Sequence, residues 1–259
     1  TTTYTGDLSF FATGQYEDQL FGTITTKGYL KPALPEGDNT MFENATMQMR
    51  LILDTSNAYG DTLANQRYSL YEINELWRGT ALKIDNELAL GNKLGEFTIG
   101  YEDSLDVNLN ELDKSWVDEY FEFTQNDSAS RDSSYKNGMY GLAIVPEESN
   151  KIVPLTAEST GFVIQNQRAD TFRVNTVERG YSLSRQTNTS YPDGSVPLHN
   201  TYEELLNFAD LGIGDLDVAT SALSRAELVL YENSSTMEQT LQSEPFSAAR
   251  PQPTTAYLQ

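Results

Sequence analysis

The sequence predicts an all-β protein, an antiparallel β-sandwich of jelly-roll-like type with one or two short helices. Segments in which apolar and polar residues alternate recur along the chain, and loops rich in Gly, Pro, Asn, Asp and Ser separate them. Fifteen Tyr and eleven Phe also favour sheet, because aromatic rings pack well on a pleated surface. We expect residues 1–167 to form the sandwich and residues 168–259 to complete it or to form a smaller β domain.

The first half of the chain predicts several short strands. The clearest is residues 45–53, where apolar side chains alternate and share one face: Ala45, Met47, Met49, Leu51 and Leu53. The other strands expected here cover residues 8–12, 22–30 and 67–73. Residues 95–100 and 104–109 are expected to form a hairpin across the turn at 101–103.

The middle of the chain combines a helix, a loop and two strands. Residues 110–123 predict a helix, since Leu112, Trp116 and Tyr120 recur every four residues. Residues 125–134 are polar and predict a loop. Strands are then expected at 138–145 and 161–165.

Beyond residue 168 the pattern changes but stays mostly β. Residues 171–183 predict one or two strands, and 224–231 another. Residues 201–208 predict a short helix that opens with a capping-box pattern. The prolines of 249–259 favour an extended tail.

The charge of the chain excludes several partners. Thirty-eight acidic residues against 17 basic ones give a net charge of −21, so no basic stripe is available for nucleic acid or for an anionic membrane surface. No apolar run is long enough to span a bilayer, so we expect no transmembrane segment. The excess of acid fits an extracellular setting or the binding of hydrated cations.

The chain contains no cysteine and one histidine, His199, in an expected loop. Thiol chemistry is therefore excluded, and a lone loop imidazole gives little support to a hydrolase. Because the sequence starts without Met and has no leader pattern, we expect a chain that is processed after export.

A set of short motifs in order carries a family resemblance. The first is a Gly-x-Tyr-x-Asp-x-x-Phe-Gly segment: Gly14, Tyr16, Asp18, Phe21 and Gly22. Later motifs lie at residues 137–150, 224–230 and 251–258. Together they resemble a family of Bacteroidota surface lipoproteins, domain of unknown function 4270, with a further likeness to jelly-roll carbohydrate-binding modules. The resemblance implies a β-sandwich at the cell surface and no activity. Family members are typically anchored through an N-terminal cysteine, which this sequence lacks.

Two segments offer several side-chain oxygens within a few residues, as Ca²⁺ requires, although neither has the spacing of an EF-hand. The candidate ligands are Asp54, Asn57 and Asp61 in the first segment, and Asp127 and Asp132 in the second. A solvated acidic surface explains the same residues without any metal. Calcium is therefore an optional cofactor in this interpretation, and no other cofactor is expected.

Aromatic side chains on loops could stack against sugar rings. Trp77 is the best single candidate because it lies in an expected loop, and Tyr59 and Tyr101 follow because Asn, Asp and Gly flank them. Each of these rings could equally be a packing residue.

These observations favour a non-enzymatic structural or assembly protein of the extracellular space or outer-membrane surface. Its expected partners are subunits of a surface assembly or other copies of itself. The alternative is a carbohydrate-binding surface module whose partner is a polysaccharide.

Overall fold

A computed structural model describes residues 3–18, 22–35, 42–61, 63–125, 128–148 and 150–186, with the backbone alone described at 128, 129 and 148. The helix expected at 201–208, the strand expected at 224–231, the tail and His199 lie outside the described residues.

The described residues form an all-β sandwich with short helices, as the sequence predicts. Twelve strands pair in two antiparallel sheets: β1 Phe10–Asp18, β2 Gly22–Pro32, β3 Thr46–Ile52, β4 Tyr59–Gly60, β5 Gln66–Ile73, β6 Leu90–Ile99, β7 Ser104–Asn108, β8 Leu142–Glu148, β9 Lys151–Thr156, β10 Gly161–Gln165, β11 Thr171–Val174 and β12 Thr176–Gln186. The eight-stranded sheet has the order β4-β9-β1-β2-β8-β5-β6, with β12 also paired to β2. The four-stranded sheet has the order β11-β10-β3-β7.

The alternation in β3 explains how the sheets pack. Met47, Met49 and Leu51 are fully buried, and the polar residues between them lie on the other face. Side chains from both sheets meet in one main hydrophobic core. Because alternate residues of a strand point to opposite faces, the strand that buries Leu30 in this core turns Tyr29 to the outer face of the large sheet.

That outer face is covered as well. A second apolar cluster contains Tyr29, Ile73, Trp77, Leu82, Leu88 and Ala143. Trp77, Leu82 and Leu88 belong to the segment between β5 and β6, so this segment packs over the sheet. Parts of the large sheet are therefore buried on both faces.

Three α-helices lie among the described residues: α1 Leu109–Leu112, α2 Lys114–Thr124 and α3 Ser128–Gly138. The single helix expected at 110–123 is divided at Asp113, whose carboxylate accepts hydrogen bonds from the backbone N–H groups of Ser115 and Trp116. This residue therefore ends α1 and caps α2. The loop expected at 125–134 is wrong over most of its length, because α3 begins at Ser128.

Two other expectations concern the way in which the strands pair and connect. The hairpin expected across 101–103 is wrong, because β6 pairs with β5 in the large sheet whereas β7 pairs with β3 in the small one. The turn carries the chain from one sheet to the other. In the second region of the chain, β11 pairs with β10 of the four-stranded sheet and β12 pairs with β2 of the eight-stranded sheet.

Candidate functional site

Several residues singled out from the sequence lie at one end of the sandwich. The segment from Asp54 to Asp61 leads from β3 into β4, and Tyr59 in β4 pairs with Ile152 of β9. Tyr101 lies in the turn between β6 and β7. The two segments touch, since Thr55 Oγ1 donates a hydrogen bond of 3.1 Å to Asp103 Oδ1. A shallow depression lies between them, lined by Leu53, Thr55, Ala58, Gly100, Tyr101, Lys151 and Val153.

Lys151 lies at the centre of this region, and the sequence did not single it out. Its side chain is 1% exposed, and Nζ donates hydrogen bonds of 2.8 Å to the carbonyl oxygens of Ala64 and Gly100. One ammonium therefore ties together the loop before β5 and the turn after β6. Burial lowers the pKa of Lys151, and the negative charges of Glu102 and Asp61 oppose that effect.

The two loops that Lys151 joins each carry an exposed apolar side chain. Leu63 precedes Ala64, Tyr101 follows Gly100, and each is 65% exposed. Both rank among the most exposed large apolar residues in the described part of the chain. We call the group of residues Leu63, Tyr101, Asp54, Asp61, Glu102 and Asp103, which lie on these linked segments, the Tyr101 corner.

The carboxylates of the first predicted calcium segment are hydrogen-bonded within their own loop. Asp54 accepts from Ser56 Oγ at 2.6 Å and from Asn57 Nδ2 at 2.7 Å. Asp61 Oδ1 accepts from the N–H groups of Leu63 and Ala64, both at 3.2 Å. Burial alone would raise the pKa of Asp54, but the hydrogen bonds outweigh it and hold the pKa below its ordinary value.

These hydrogen bonds show that the carboxylates stabilise the local turns of the segment. No cluster of three or more His, Asp or Glu side chains suited to a metal occurs among the described residues. The second predicted calcium segment is not a continuous loop, because Asp132 lies on α3, is 84% exposed and is 3.5 Å from Arg131 Nε. Asp127 lies outside the described residues. Calcium binding stays an untested prediction, and the hydrogen bonds within the first segment weigh against it.

The expectation that Trp77 is an exposed ring is wrong. Trp77 is 8% exposed, its Nε1 donates a hydrogen bond of 2.8 Å to the carbonyl oxygen of Tyr140, and its ring meets Tyr29 edge to face at 6.1 Å. The segment between β5 and β6 places the ring in the second cluster of the large sheet. Trp77 is therefore a packing residue.

Tyr59 is also buried, at 1% exposure. Its hydroxyl donates a hydrogen bond to the carboxylate of Asp18, and its ring lies 4.7 Å from Tyr16, edge to face. Of the aromatic residues proposed from the sequence for sugar stacking, Tyr101 alone presents an exposed ring.

Comparisons with known proteins add no relative. No family model, curated protein or solved structure matches the chain. Within the described ranges, none of the helices is both long enough and apolar enough to cross a bilayer. The class defined by the fold is an all-β sandwich protein, and its candidate site is the Tyr101 corner.

Proposed function

We propose that the chain is a non-enzymatic structural or assembly protein of the cell surface or extracellular space, and that it contacts another protein subunit through the Tyr101 corner. One observation carries the proposal: Leu63 and Tyr101 are exposed on two loops that the buried Lys151 ammonium holds together.

An interface gains affinity from a few well-placed side chains and from loops that are already ordered. Tyrosine is enriched among the residues that dominate binding energy, and apolar neighbours exclude water from it. A loop that is already fixed loses less conformational entropy on binding than a free one. Because the Lys151 hydrogen bonds and the Thr55–Asp103 hydrogen bond fix both loops, the exposed side chains are presented at a reduced entropic cost.

The charge of the chain supports an exterior location. A net charge of −21 keeps a protein soluble and disfavours non-specific contact with nucleic acid and with anionic lipid. The resemblance to Bacteroidota surface lipoproteins is consistent with the same location. Both supports concern where the chain works, whereas the corner concerns how it makes contact.

A photo-crosslinking amino acid at position 101, in the protein expressed in its native cells, tests the proposal. We expect a crosslink to a defined protein, and the same probe at Asp132, an exposed position on α3, is the matched control. A crosslink to a second copy of this chain would support self-assembly. Labelling at 132 equal to that at 101, or no protein crosslink at 101, would refute a specific contact at the corner.

A carbohydrate-binding module is the second candidate, favoured by the exposed Tyr101 ring beside a depression that Thr55 helps to line. Sugars stack on such rings and donate hydroxyl hydrogen bonds to carboxylates. The test is a glycan array with Tyr101→Ala against Trp77→Phe. Loss of binding in the first variant alone supports this candidate, and an array without signal for the unmodified protein argues against it.

A further inference from the structure

The first described segment of the chain lies as a short strand against the segment that covers the large sheet. This cover segment consists of residues 74–89, between β5 and β6. Tyr4 pairs antiparallel with Lys83 of the cover segment. Two backbone hydrogen bonds of 3.0 Å flank the pair, from the N–H of Thr5 to the carbonyl oxygen of Leu82 and from the N–H of Ile84 to that of Thr3.

Thr5 also pairs with the outer edge of β12. Its Oγ1 donates a hydrogen bond of 2.8 Å to the carbonyl oxygen of Tyr181 and accepts one of 3.0 Å from the N–H of the same residue. Further along β12, the N–H of Leu183 donates directly to the carbonyl oxygen of Ile84 at 2.7 Å. Since buried backbone groups need partners, one buried hydroxyl here satisfies both groups of Tyr181.

Glycines bring the backbones close together around this threonine. A Cβ added to Gly6 would lie 2.0 Å from the carbonyl carbon of Gly79, so no side chain fits at position 6. A Cβ added to Gly180 would lie 2.9 Å from Thr5 Oγ1. The site that holds the segment, which we call the Thr5 groove, is formed by Gly79, residues 82–84, Gly180 and Tyr181. It fits an extended segment in which a hydroxyl residue precedes glycine.

We infer that the Thr5 groove is an assembly site, in which residues 3–6 of one copy of this chain replace those of a second copy. The inference rests on the proposed assembly function and uses a surface other than the Tyr101 corner. Addition of a strand to a sheet edge is a recurring mode of recognition between proteins. Exchange of an identical segment remakes in the second copy each hydrogen bond that it breaks in the first, so the contact itself loses nothing.

The segment can leave its groove without opening the core. Among the described residues, both apolar clusters are built without residues 3–6, and the Tyr4 side chain is 45% exposed. Segments with few buried apolar contacts open at a lower free energy than core strands do. Opening of the first segment is therefore a local event that leaves the sandwich folded.

Charge favours a contact between copies at this place. A second copy carries the same net charge of −21, so repulsion opposes contact through acidic surfaces. None of the 38 acids falls within the first six residues, and the groove contains Lys83. An uncharged strand that enters beside a lysine avoids much of that repulsion.

A disulfide can report the exchange, because the chain has no cysteine of its own. Tyr4 and Lys83 form the kind of antiparallel pair whose own N–H and C=O groups point away from each other. In such a pair the Cα atoms are about 4.5 Å apart, which a disulfide spans. Tyr4→Cys chains are mixed with isotope-labelled Lys83→Cys chains, incubated reduced, and then oxidised. Mass spectrometry identifies the disulfide between positions 4 and 83.

The matched control mixes Asp132→Cys with Lys83→Cys, since Asp132 is 84% exposed on α3. We expect the mixed dimer of positions 4 and 83 to form at least about tenfold faster than the control dimer, because a bound strand raises the effective concentration of the two thiols. Equal rates for the two mixtures would overturn the inference. A disulfide that forms only within the doubly substituted Tyr4→Cys/Lys83→Cys chain would overturn it too, since the segment then fills its own groove alone.

Peptides test the recognition chemistry of the groove. A chain lacking residues 1–6 is titrated with a fluorescent peptide of residues 1–7, and anisotropy gives the affinity. In the peptide, Thr5→Val removes the buried hydroxyl and keeps its shape, whereas Tyr4→Phe removes a hydroxyl from a half-exposed ring. We expect about tenfold weaker binding for Thr5→Val and less than about twofold for Tyr4→Phe, since only the first leaves Tyr181 without its partner.

Gly6→Ala in the peptide should abolish binding, because the added methyl meets the backbone of Gly79. Equal affinities of all these peptides would overturn the inference, and so would the absence of binding to a shortened chain whose circular dichroism is unchanged. If the shortened chain does not fold, the disulfide experiment decides, since it uses the full chain.

The disulfide and the crosslink at position 101 fail separately. A mixed disulfide of positions 4 and 83 without a protein crosslink at 101 would support strand exchange and refute the contact at the Tyr101 corner. A protein crosslink at 101 with equal disulfide rates in the two mixtures would leave the proposed function in place and overturn strand exchange.

Discussion

At the scale of single residues, two lysines of this acidic protein, Lys31 and Lys151, are buried and bind different groups. Lys151 binds two backbone carbonyls, whereas Lys31 lies 4.3 Å from the centre of the Tyr135 ring and donates to the carbonyl oxygen of the same residue at 3.4 Å. Tyr135 belongs to α3, so Lys31 joins β2 to the last turns of that helix. A cation at this end of a helix also interacts favourably with the helix dipole.

Burial lowers the pKa of Lys31 to about 8, with Glu178 opposing the shift and Lys136 adding to it. The pKa in the unfolded chain is higher, near 10.5. Between these values the unfolded state binds more protons than the folded state, so the free energy of unfolding rises with pH across that window. Below pH 8 the folded protein bears the full desolvation penalty of the charged ammonium.

We therefore predict that Lys31→Met removes this pH dependence. The difference between the unmodified chain and the variant in free energy of unfolding should increase in favour of the unmodified chain from pH 8 to pH 10.5. Urea unfolding at several pH values measures it. The burial-raised pKa of Tyr120 and Tyr135 affects both proteins, so their contributions largely cancel in the difference. Parallel curves for the two proteins would contradict the prediction.

Lys151→Met should loosen the Tyr101 corner. The change removes the ammonium from the carbonyl oxygens of Ala64 and Gly100, which are part-buried, and the loss of hydrogen bonds from a charged donor costs about 1.5–3 kcal/mol at most for each bond. We expect a loss of stability in urea unfolding and faster hydrogen exchange in residues 63–66 and 99–103. Lys27→Met, which breaks an ion pair with half-exposed Glu87, should cost less than about 1 kcal/mol. A loss no larger than that of the control would remove Lys151 from its role in positioning the loops.

At the scale of single elements, the β10–β11 hairpin carries strain at one residue. Ala169 has a φ of 62°, a conformation that favours glycine, and Asn166 stabilises the turn by accepting from the N–H groups of Arg168 and Asp170, both at 2.9 Å. We predict that Ala169→Gly stabilises the protein by about 0.5–1 kcal/mol, since the relief of strain exceeds the added freedom of the unfolded chain. Thermal unfolding measures it. Ala169→Val should destabilise, and a stabilising valine would contradict the argument.

The elements also mark the limit of prediction from sequence. The sequence pattern predicted β3 and β10 with nearly the observed bounds. One face of each strand is buried against the core, so apolar residues recur at every second position. The sequence pattern failed at α3, a polar helix anchored to the core by Tyr135 and not by an apolar stripe. It also failed at 101–103, since a turn between two sheets has the same local pattern as a hairpin turn.

In the candidate site too, the sequence predicted some residues correctly and missed others. Tyr101 was found because Gly and acidic neighbours signal an exposed turn. The burial of Trp77 depends on a long segment folding over the outer face of the large sheet, which no local pattern reports. Lys151 was missed because its partners, Ala64 and Gly100, are distant in sequence. A lysine at the start of the apolar run from Ile152 to Leu155 is the one signal that could have raised it.

At the scale of the whole molecule, the net charge determines how the stability of the folded state responds to salt. The net charge of −21 comes from 38 acids and 17 bases, and folding brings these acids closer together than they are in the extended chain. At about 10 mM salt the Debye length is about 30 Å, which lets charges repel across the domain, whereas at about 150 mM it is about 8 Å. Salt should therefore stabilise the folded state.

We predict that the midpoint of thermal unfolding rises as NaCl increases from about 10 to about 150 mM. A comparison of CaCl₂ with MgCl₂ at equal ionic strength then distinguishes charge screening from specific binding of Ca²⁺. If Ca²⁺ acts by screening alone, its curve follows a MgCl₂ curve at the same ionic strength. If the Asp54–Asp61 segment binds Ca²⁺, the midpoint shows an added, saturating rise by mass action that Asp54→Asn removes. Because the loop already uses these carboxylates as hydrogen-bond acceptors, we expect the two divalent curves to coincide. A midpoint independent of NaCl would show that repulsion among the acids does not limit stability.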